Sequence, residues 1–271
     1  MPKRLTIEWP DPAPFRSRDG APIRLLAVSD VFEQTLIDAR NRAAVSPIDL
    51  IVGCGDLDCD ELAFIADGFN APIVYVHGNH DTPERWRQCQ SFCPDAIHST
   101  AIFHRAGLSI AGLTWPGRPG KRGNRSERTA WSQAMRLATR RLGHFDPMIV
   151  MSHVPPLGAG DVPTDPYHRG FKGYRWLLEH LGPTLWLHGH TPPAATREWK
   201  IQVGTSTVVN VTGAVVIDLV PPTPETITAR RARLRLTGRS RKTGVAREPE
   251  PPIEPEPPTE PEPPTEPEAD L

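Results

Sequence analysis

"IRLLAVSD" at residues 23–30, "IDLIVGCGD" at 48–56 and "PIVYVHGN" at 72–79 are short, nearly continuous apolar runs. A strand with one wet face would alternate; these do not, which suits strands buried on both faces. Residues 33–45 and 59–69 between them carry helical periodicity. The order β-α-β-α-β predicts a parallel sheet with right-handed crossovers. Every one of these runs also ends on polar chemistry: Asp30, Asp56, and Asn79 followed by His80.

Working outward, residues 96–115 hold β-rich pieces around one glycine turn with no room for a crossover, so they are expected to be antiparallel or mixed. A helix is predicted over about 126–142, with Ser126 as its N-cap. A strand at 147–153, a Gly/Pro/Asp-rich loop, a helix at 170–181, a strand at 184–190 and two or three hairpin strands in 197–220 complete the pattern. The fold class is α/β: a mixed β-sandwich flanked by helices, of about 200 residues. Its boundaries are read as an N-terminal extension (1–21), the domain (22–220), a basic linker or arm (221–247) and an acidic Pro-rich disordered tail (248–271).

The formal net charge of −1 conceals a partition. Residues 230–247 hold eight of the 31 Arg and Lys and no acid, and 248–271 hold nine of the 32 Asp and Glu and no base. That leaves 23 of each sign in residues 1–229, a neutral body with no electrostatic footprint for nucleic acid or membrane. Any nucleic-acid contact is therefore expected only through the basic arm 230–247. The tail repeats P-E-P-P-[IT]-E, a composition that favours solvated polyproline II. No apolar run approaches the roughly 18 residues of a membrane span, so a cytoplasmic, membrane-free protein is expected. Four cysteines (Cys54, Cys59, Cys89, Cys93) are too few for a disulfide scaffold, and a zinc site built from them is the lesser reading. "VGCGDLD" lacks the third glycine of a dinucleotide-binding turn, position 58 being aspartate.

The strands at 147–153 and 184–190 end on His153 and His190. Five strand ends thus deliver carboxylate, amide or imidazole to the edge where α/β sheets bind ligands. Each residue alone has an ordinary reading as a helix cap or a satisfied surface group. Together they form a mixed N/O donor set of the kind that holds Mn²⁺, Fe²⁺ or Zn²⁺.

"AVSD", "GCGDL", "GNHD", "MSH" and "GHT" occur in the order and at roughly the intervals of the calcineurin-like metallophosphoesterases, which residues 23–218 resemble. The resemblance implies that Asp56 bridges two metals, that Asn79, His153 and His190 complete one of them, and that Asp30 belongs to the other. It implies His80 near the leaving oxygen as stabiliser or proton donor, oriented by Asp81. The implied reaction is hydrolysis of a phosphomonoester or phosphodiester by a metal-bound hydroxide, on a phosphorylated substrate left unspecified.

The chain departs from that pattern twice. Where the family has D-x-H and G-H-x-H, this sequence has Phe32 two residues after Asp30 and Pro192 two residues after His190. Both lost imidazoles belong to one metal. One tightly held divalent ion is expected, with the second weak, absent or completed by other groups, of which Glu33 and His188 are nearest. An impaired metal- or phosphate-binding module on the same fold is the alternative. His168 and Arg169, in the loop after His153, are weaker candidates for substrate phosphate. Arg118, Lys121, Arg122 and Arg125 read more simply as solvated surface charge.

Overall fold

Strand β2 (Ile23–Ser29) is apolar apart from Arg24 and the terminal Ser29 because both of its faces are covered, as the nearly continuous pattern requires. The computed structural model describes residues 1–88, 99–120, 125–196 and 198–236. In chain order the elements are β1 (Lys3–Glu8), β2, α1 (Ala39–Val45), β3 (Leu50–Gly53), α2 (Cys59–Phe69), β4 (Ile73–Tyr75), α3 (Pro83–Gln88), β5 (Ile102–Arg105) and β6 (Leu108–Leu113). Then follow α4 (Glu127–Arg140), β7 (Met148–Ser152), α5 (Lys172–Leu181), β8 (Leu185–His188), β9 (Lys200–Val203), β10 (Ser206–Asn210), β11 (Gly213–Val220) and α6 (Pro224–Leu236).

Among the described residues these strands form two mixed sheets, in the orders β1-β11-β2-β3-β4 and β5-β6-β7-β8-β10-β9. β2, β3 and β4 run parallel, as the β-α-β-α-β reading requires, and so do β6, β7 and β8. β5 and β6 form the antiparallel pair expected in 96–115. Leu25, Val52, Ile149, Leu187 and Ile217 meet in the core between the sheets. On one outer face Leu36, Leu62 and Ile65 pack against β2 and β3; on the other Ala134, Leu137 and Leu177 pack against β7 and β8. The result is a helix–sheet–sheet–helix sandwich.

Local chemistry sets the helix ends. The Glu61 carboxylate accepts the Asp58 N–H at 2.9 Å at the start of α2, and Ser126 Oγ accepts the Thr129 N–H at 3.1 Å at the start of α4. Each satisfies a backbone donor that the helix leaves open.

Three segments differ from expectation. Residues 3–8, read as part of an extension, form edge strand β1, which pairs in parallel with β11 and buries Leu5 and Ile7. Residues 224–236 of the arm form helix α6 rather than a linker; Thr223 Oγ1 accepts the Thr226 N–H, and Arg230 donates to the carbonyls of Pro10 and Phe145. The 197–220 region is not a simple set of hairpins, because β10 pairs in parallel with β8 and β11 crosses to the other sheet. The acidic tail, Cys89, Cys93, Lys121 and Arg122 lie outside the described residues. Cys54 is a buried free thiol in the core, whereas Cys59 is disulfide-bonded. No described helix is long and apolar enough to cross a membrane.

Candidate metal centre

Asp30, Asp56, Asn79, His153 and His190 follow the carboxyl ends of β2, β3, β4, β7 and β8. These strands belong to both sheets, so the site straddles the sandwich. Asp30, Asp56 and His190 all adopt left-handed backbone, with φ of 61°, 62° and 64°. Such conformations are uncommon for non-glycine residues and concentrate where function demands a particular side-chain direction. Glycines allow the close approach: a Cβ on Gly78 would lie 2.2 Å from Asp56 Oδ1, and one on Gly189 would lie 2.3 Å from Asp30 Oδ2.

His153 is the hub. Its Nδ1 lies 2.8 Å from the Cys54 carbonyl, an acceptor only, so Nδ1 carries the proton. The Nε2 lone pair of the neutral ring then faces Asn79 Oδ1 at 2.8 Å, Asp56 Oδ2 at 3.1 Å and Asp30 Oδ1 at 4.0 Å. His190 is arranged alike: Nε2–H donates to the Tyr167 carbonyl at 2.9 Å, leaving Nδ1 available. Asp30, His153 and His190 offer ligand atoms that all lie within 4.8 Å of one another. Fixing one ring nitrogen through a backbone carbonyl is how metal-binding histidines are oriented. The donors fit a divalent transition metal: carboxylate and amide oxygens meet around the imidazole nitrogen His153 Nε2.

The electrostatics agree. Burial alone pushes His153 toward neutrality, but the carboxylates of Asp56 and Asp30 outweigh it and raise its pKa to about 9. Burial pushes Asp56 upward, and is outweighed by His153 and the His80 N–H, which hold its pKa below the usual carboxylate range. His190, buried beside His153, is pushed down to about 3, so its ring is neutral and ready to coordinate. The cluster therefore accommodates one positive charge, which is a proton on His153 in the absence of an ion.

Asp81 is engaged differently from the resemblance. Its Oδ2 accepts the N–H groups of Gly78 (2.7 Å) and Asp56 (2.9 Å) and the Tyr75 hydroxyl (2.9 Å), fixing the two ligand-bearing turns rather than the His80 ring. Burial raises its pKa against the pull of those donors. His80 is exposed, and its N–H donates to Asp56 Oδ1 at 2.8 Å.

Among the described residues, neither Glu33 nor His188 joins the group of Asp30, His153 and His190. Glu33 accepts from Thr35 N and Oγ1 and caps a short 3-10 turn. His188 turns to Gly160, where an added Cβ would meet its Nε2 at 2.5 Å; the left-handed φ at His190 breaks the strand parity the two histidines otherwise share. Phe32 packs edge-on against Phe64 of α2, and Pro192 is exposed at the start of a 3-10 turn. Asp30 gives its Oδ2 to the His190 N–H (2.8 Å) and the Thr212 hydroxyl (3.3 Å).

The loop after His153 is close to the site. The His168 ring centroid lies 5.3 Å from that of His190, and His168 Nδ1 pairs with Asp165 Oδ2 at 2.5 Å. Arg169 is exposed, and its carbonyl accepts from Arg125. Arg125 is not simply solvated: its guanidinium lies 4.5 Å above the Phe171 ring and donates to Pro166 and Tyr167 carbonyls. Sequence reasoning passed over Tyr167, whose hydroxyl accepts from Asn79 Nδ2 at 3.0 Å. A tyrosine in an aperiodic Pro/Asp loop carries no sequence signal of its own.

The family model of the calcineurin-like phosphoesterases matches residues 23–194, a span holding every ligand candidate. The chain belongs to the calcineurin-like phosphoesterase family. Membership supports a metal-dependent phosphoesterase in general terms. Among solved structures, one is 15% identical with a TM-score of 0.53, covering 73% of this chain and 95% of its own. The protein TT1561 of Thermus thermophilus is 18% identical, with a TM-score of 0.48 and coverage of 71% and 90%. A dimetal phosphatase from Danio rerio is 12% identical, with a TM-score of 0.48 and coverage of 71% and 88%. At such identities the first likeness speaks for the fold alone. No curated protein matches the chain.

Proposed function

We propose that this chain hydrolyses a phosphomonoester or phosphodiester around one strongly held divalent ion, with the second family position weak or absent. The observation that carries this reading is the His153 Nε2 lone pair, faced by Asn79 Oδ1 and Asp56 Oδ2 at 2.8 and 3.1 Å. Acceptors so close repel unless a positive charge lies among them: a proton on Nε2 in the ion-free site, or the bound cation that replaces it. Asp56, Asn79, His153 and His190 would hold that ion, with Asp30 Oδ1 at its edge; Mn²⁺, Fe²⁺ and Zn²⁺ suit the donors. When bound, such an ion lowers the pKa of water and polarises a phosphoryl oxygen.

The protein's own groups do the rest. Cys54 and Tyr167 carbonyls hold the two imidazoles in their ligating tautomers. Asp81 fixes the turns that carry Asp56 and Asn79. His80, exposed beside Asp56, is the group we assign to the leaving oxygen, as stabiliser or proton donor.

A second reading, a binding module that holds ion and phosphate without turnover, is favoured by one observation. One of the two Asp30 oxygens, Oδ2, is already shared by the His190 N–H and the Thr212 hydroxyl, which leaves only Oδ1 for an ion. Metal analysis of the purified protein, with Mn²⁺-dependent hydrolysis of an aryl phosphomonoester and diester, separates the two. The hydrolase reading expects about one tight ion per chain, loss of activity in Asn79→Ala, and a fall of roughly 100-fold in kcat in His80→Ala. Full activity in both variants would remove it; a bound ion with no turnover would favour the module.

A further inference from the structure

We propose that the Tyr167 hydroxyl is a phosphate-binding donor of this site, an inference that rests on the phosphoesterase reading above. Tyr167 is half-buried, with its ring 5.1 Å from that of His190. Its hydroxyl oxygen accepts a hydrogen bond from Asn79 Nδ2 at 3.0 Å, and the Oδ1 of that same amide is the atom 2.8 Å from His153 Nε2. The phenol is thus one amide group away from His153 Nε2, the nitrogen that Asp56 Oδ2 also faces.

A phenolic oxygen accepts on its lone pairs and donates one proton. Asn79 occupies the accepting side, and among the described residues no acceptor takes the Tyr167 proton. A phosphoryl oxygen arriving at the ion is an anionic acceptor of the kind to which a neutral O–H makes a short, charge-assisted bond.

The hydroxyl is also held in place. Arg125 Nη1 donates to the Pro166 and Tyr167 carbonyls at 2.7 and 2.9 Å, and Asp165 Oδ1 accepts the Tyr167 N–H at 2.9 Å. Asp161, buried, closes the loop by accepting from Gly158 and Gly170 N–H groups at 2.8 and 2.7 Å. A donor fixed before substrate arrives needs no reorganisation to bind it.

Tyr167→Phe keeps the ring and the carbonyl that orients His190, and removes only the hydroxyl. Titration calorimetry on the full chain would measure Mn²⁺ binding, and inorganic phosphate binding to the Mn²⁺-loaded protein; kinetics would split KM from kcat. The expected result is Mn²⁺ affinity within about threefold of wild type, with phosphate affinity and KM each worse by roughly tenfold, the worth of one hydrogen bond to a charged group. Equal phosphate affinity in wild type and variant overturns the inference and leaves the phosphoesterase reading standing. So does a loss of Mn²⁺ affinity that accounts for the whole change, since Tyr167 would then act only by orienting Asn79. A wild type that holds Mn²⁺ but no phosphate also overturns it, and one that holds neither overturns both readings.

Discussion

Raising the pH from 7 to 9 should tighten Mn²⁺ binding far more than an ordinary histidine site allows. His153 in the ion-free site has its pKa raised to about 9, so at pH 7 an incoming ion must displace its proton. Apparent affinity then climbs nearly tenfold per pH unit at first, about 50-fold between pH 7 and 9, and levels off above pH 9. A site governed by an unperturbed imidazole, near pH 6.5, would already be level at pH 7. Titration calorimetry in two buffers of different ionisation enthalpy counts the protons: about one released per ion at pH 7. The same shift sets ion-free stability. Because the folded pKa is raised, the contribution is full below about 6.5 and is lost as pH rises through about 9, a span worth about 3 kcal/mol. Ion-free protein should therefore lose stability across that window, and protein saturated with Mn²⁺ should not. Affinity that stays flat from pH 7 to 9, with no proton release, would refute the assignment of His153 as the group the ion replaces.

Gly78→Ala would place a methyl 2.2 Å from Asp56 Oδ1 and 2.9 Å from His153 Cε1, neither able to yield without moving a ligand. Chemical denaturation should show a loss of about 1–3 kcal/mol, and Mn²⁺ affinity should fall with it. Asp81→Asn preserves shape but replaces an anionic acceptor of three hydrogen bonds with a neutral one. We expect about 1–3 kcal/mol of destabilisation by urea titration, together with a lower kcat/KM although the residue does not engage the His80 ring. His188 and His190, buried and neutral, have pKa values lowered to about 4 and about 3. Their stabilising contribution is present above pH 6.5 and is lost as pH falls through that range, so His188→Gln should flatten the decline in urea midpoint between pH 6.5 and 4.5.

The strands that end on ligands were legible because their signals are local: an apolar run, a polar residue at its end, and a glycine beside it. α2 occupies residues 59–69 and Ser126 caps α4 as the sequence predicts, again from chemistry within a few residues. β1 was not legible, although Leu5 and Ile7 alternate with polar neighbours, because its partner β11 lies some 210 residues away and nothing in "KRLTIE" names it. α6 was hidden by a composition that favours an unstructured arm; Arg230 reaching Pro10 and Phe145 is again a long-range contact. At the site, the ligand candidates could be listed, but not what holds them. Asp81 follows His80 directly, so orienting that ring was the natural reading, whereas its partners come from turns that only the sheet brings together. Arg125 looked like one of several loop cations until the fold placed it over Phe171.

The two departures from the family pattern belong to one physical change. Phe32 is packed against the α1/α2 layer and meets Phe64 edge-on at 5.8 Å, so the turn after Asp30 is held by apolar contact rather than by coordination. Pro192, at the other missing imidazole, caps the 3-10 turn Pro193–Ala195. Between them, Asp30 Oδ2 takes the His190 N–H and the Thr212 hydroxyl, bonds that tie β2 to the turn after β8 and to β11. Packing and hydrogen bonds thus hold together the edge that a second ion would otherwise organise. The remaining imidazoles do not depend on that ion, since each is fixed by a backbone carbonyl, from Cys54 and from Tyr167. Imidazoles oriented by separate backbone carbonyls hold their geometry independently, so His153 and His190 stay in place whether or not the position beside Asp30 takes an ion.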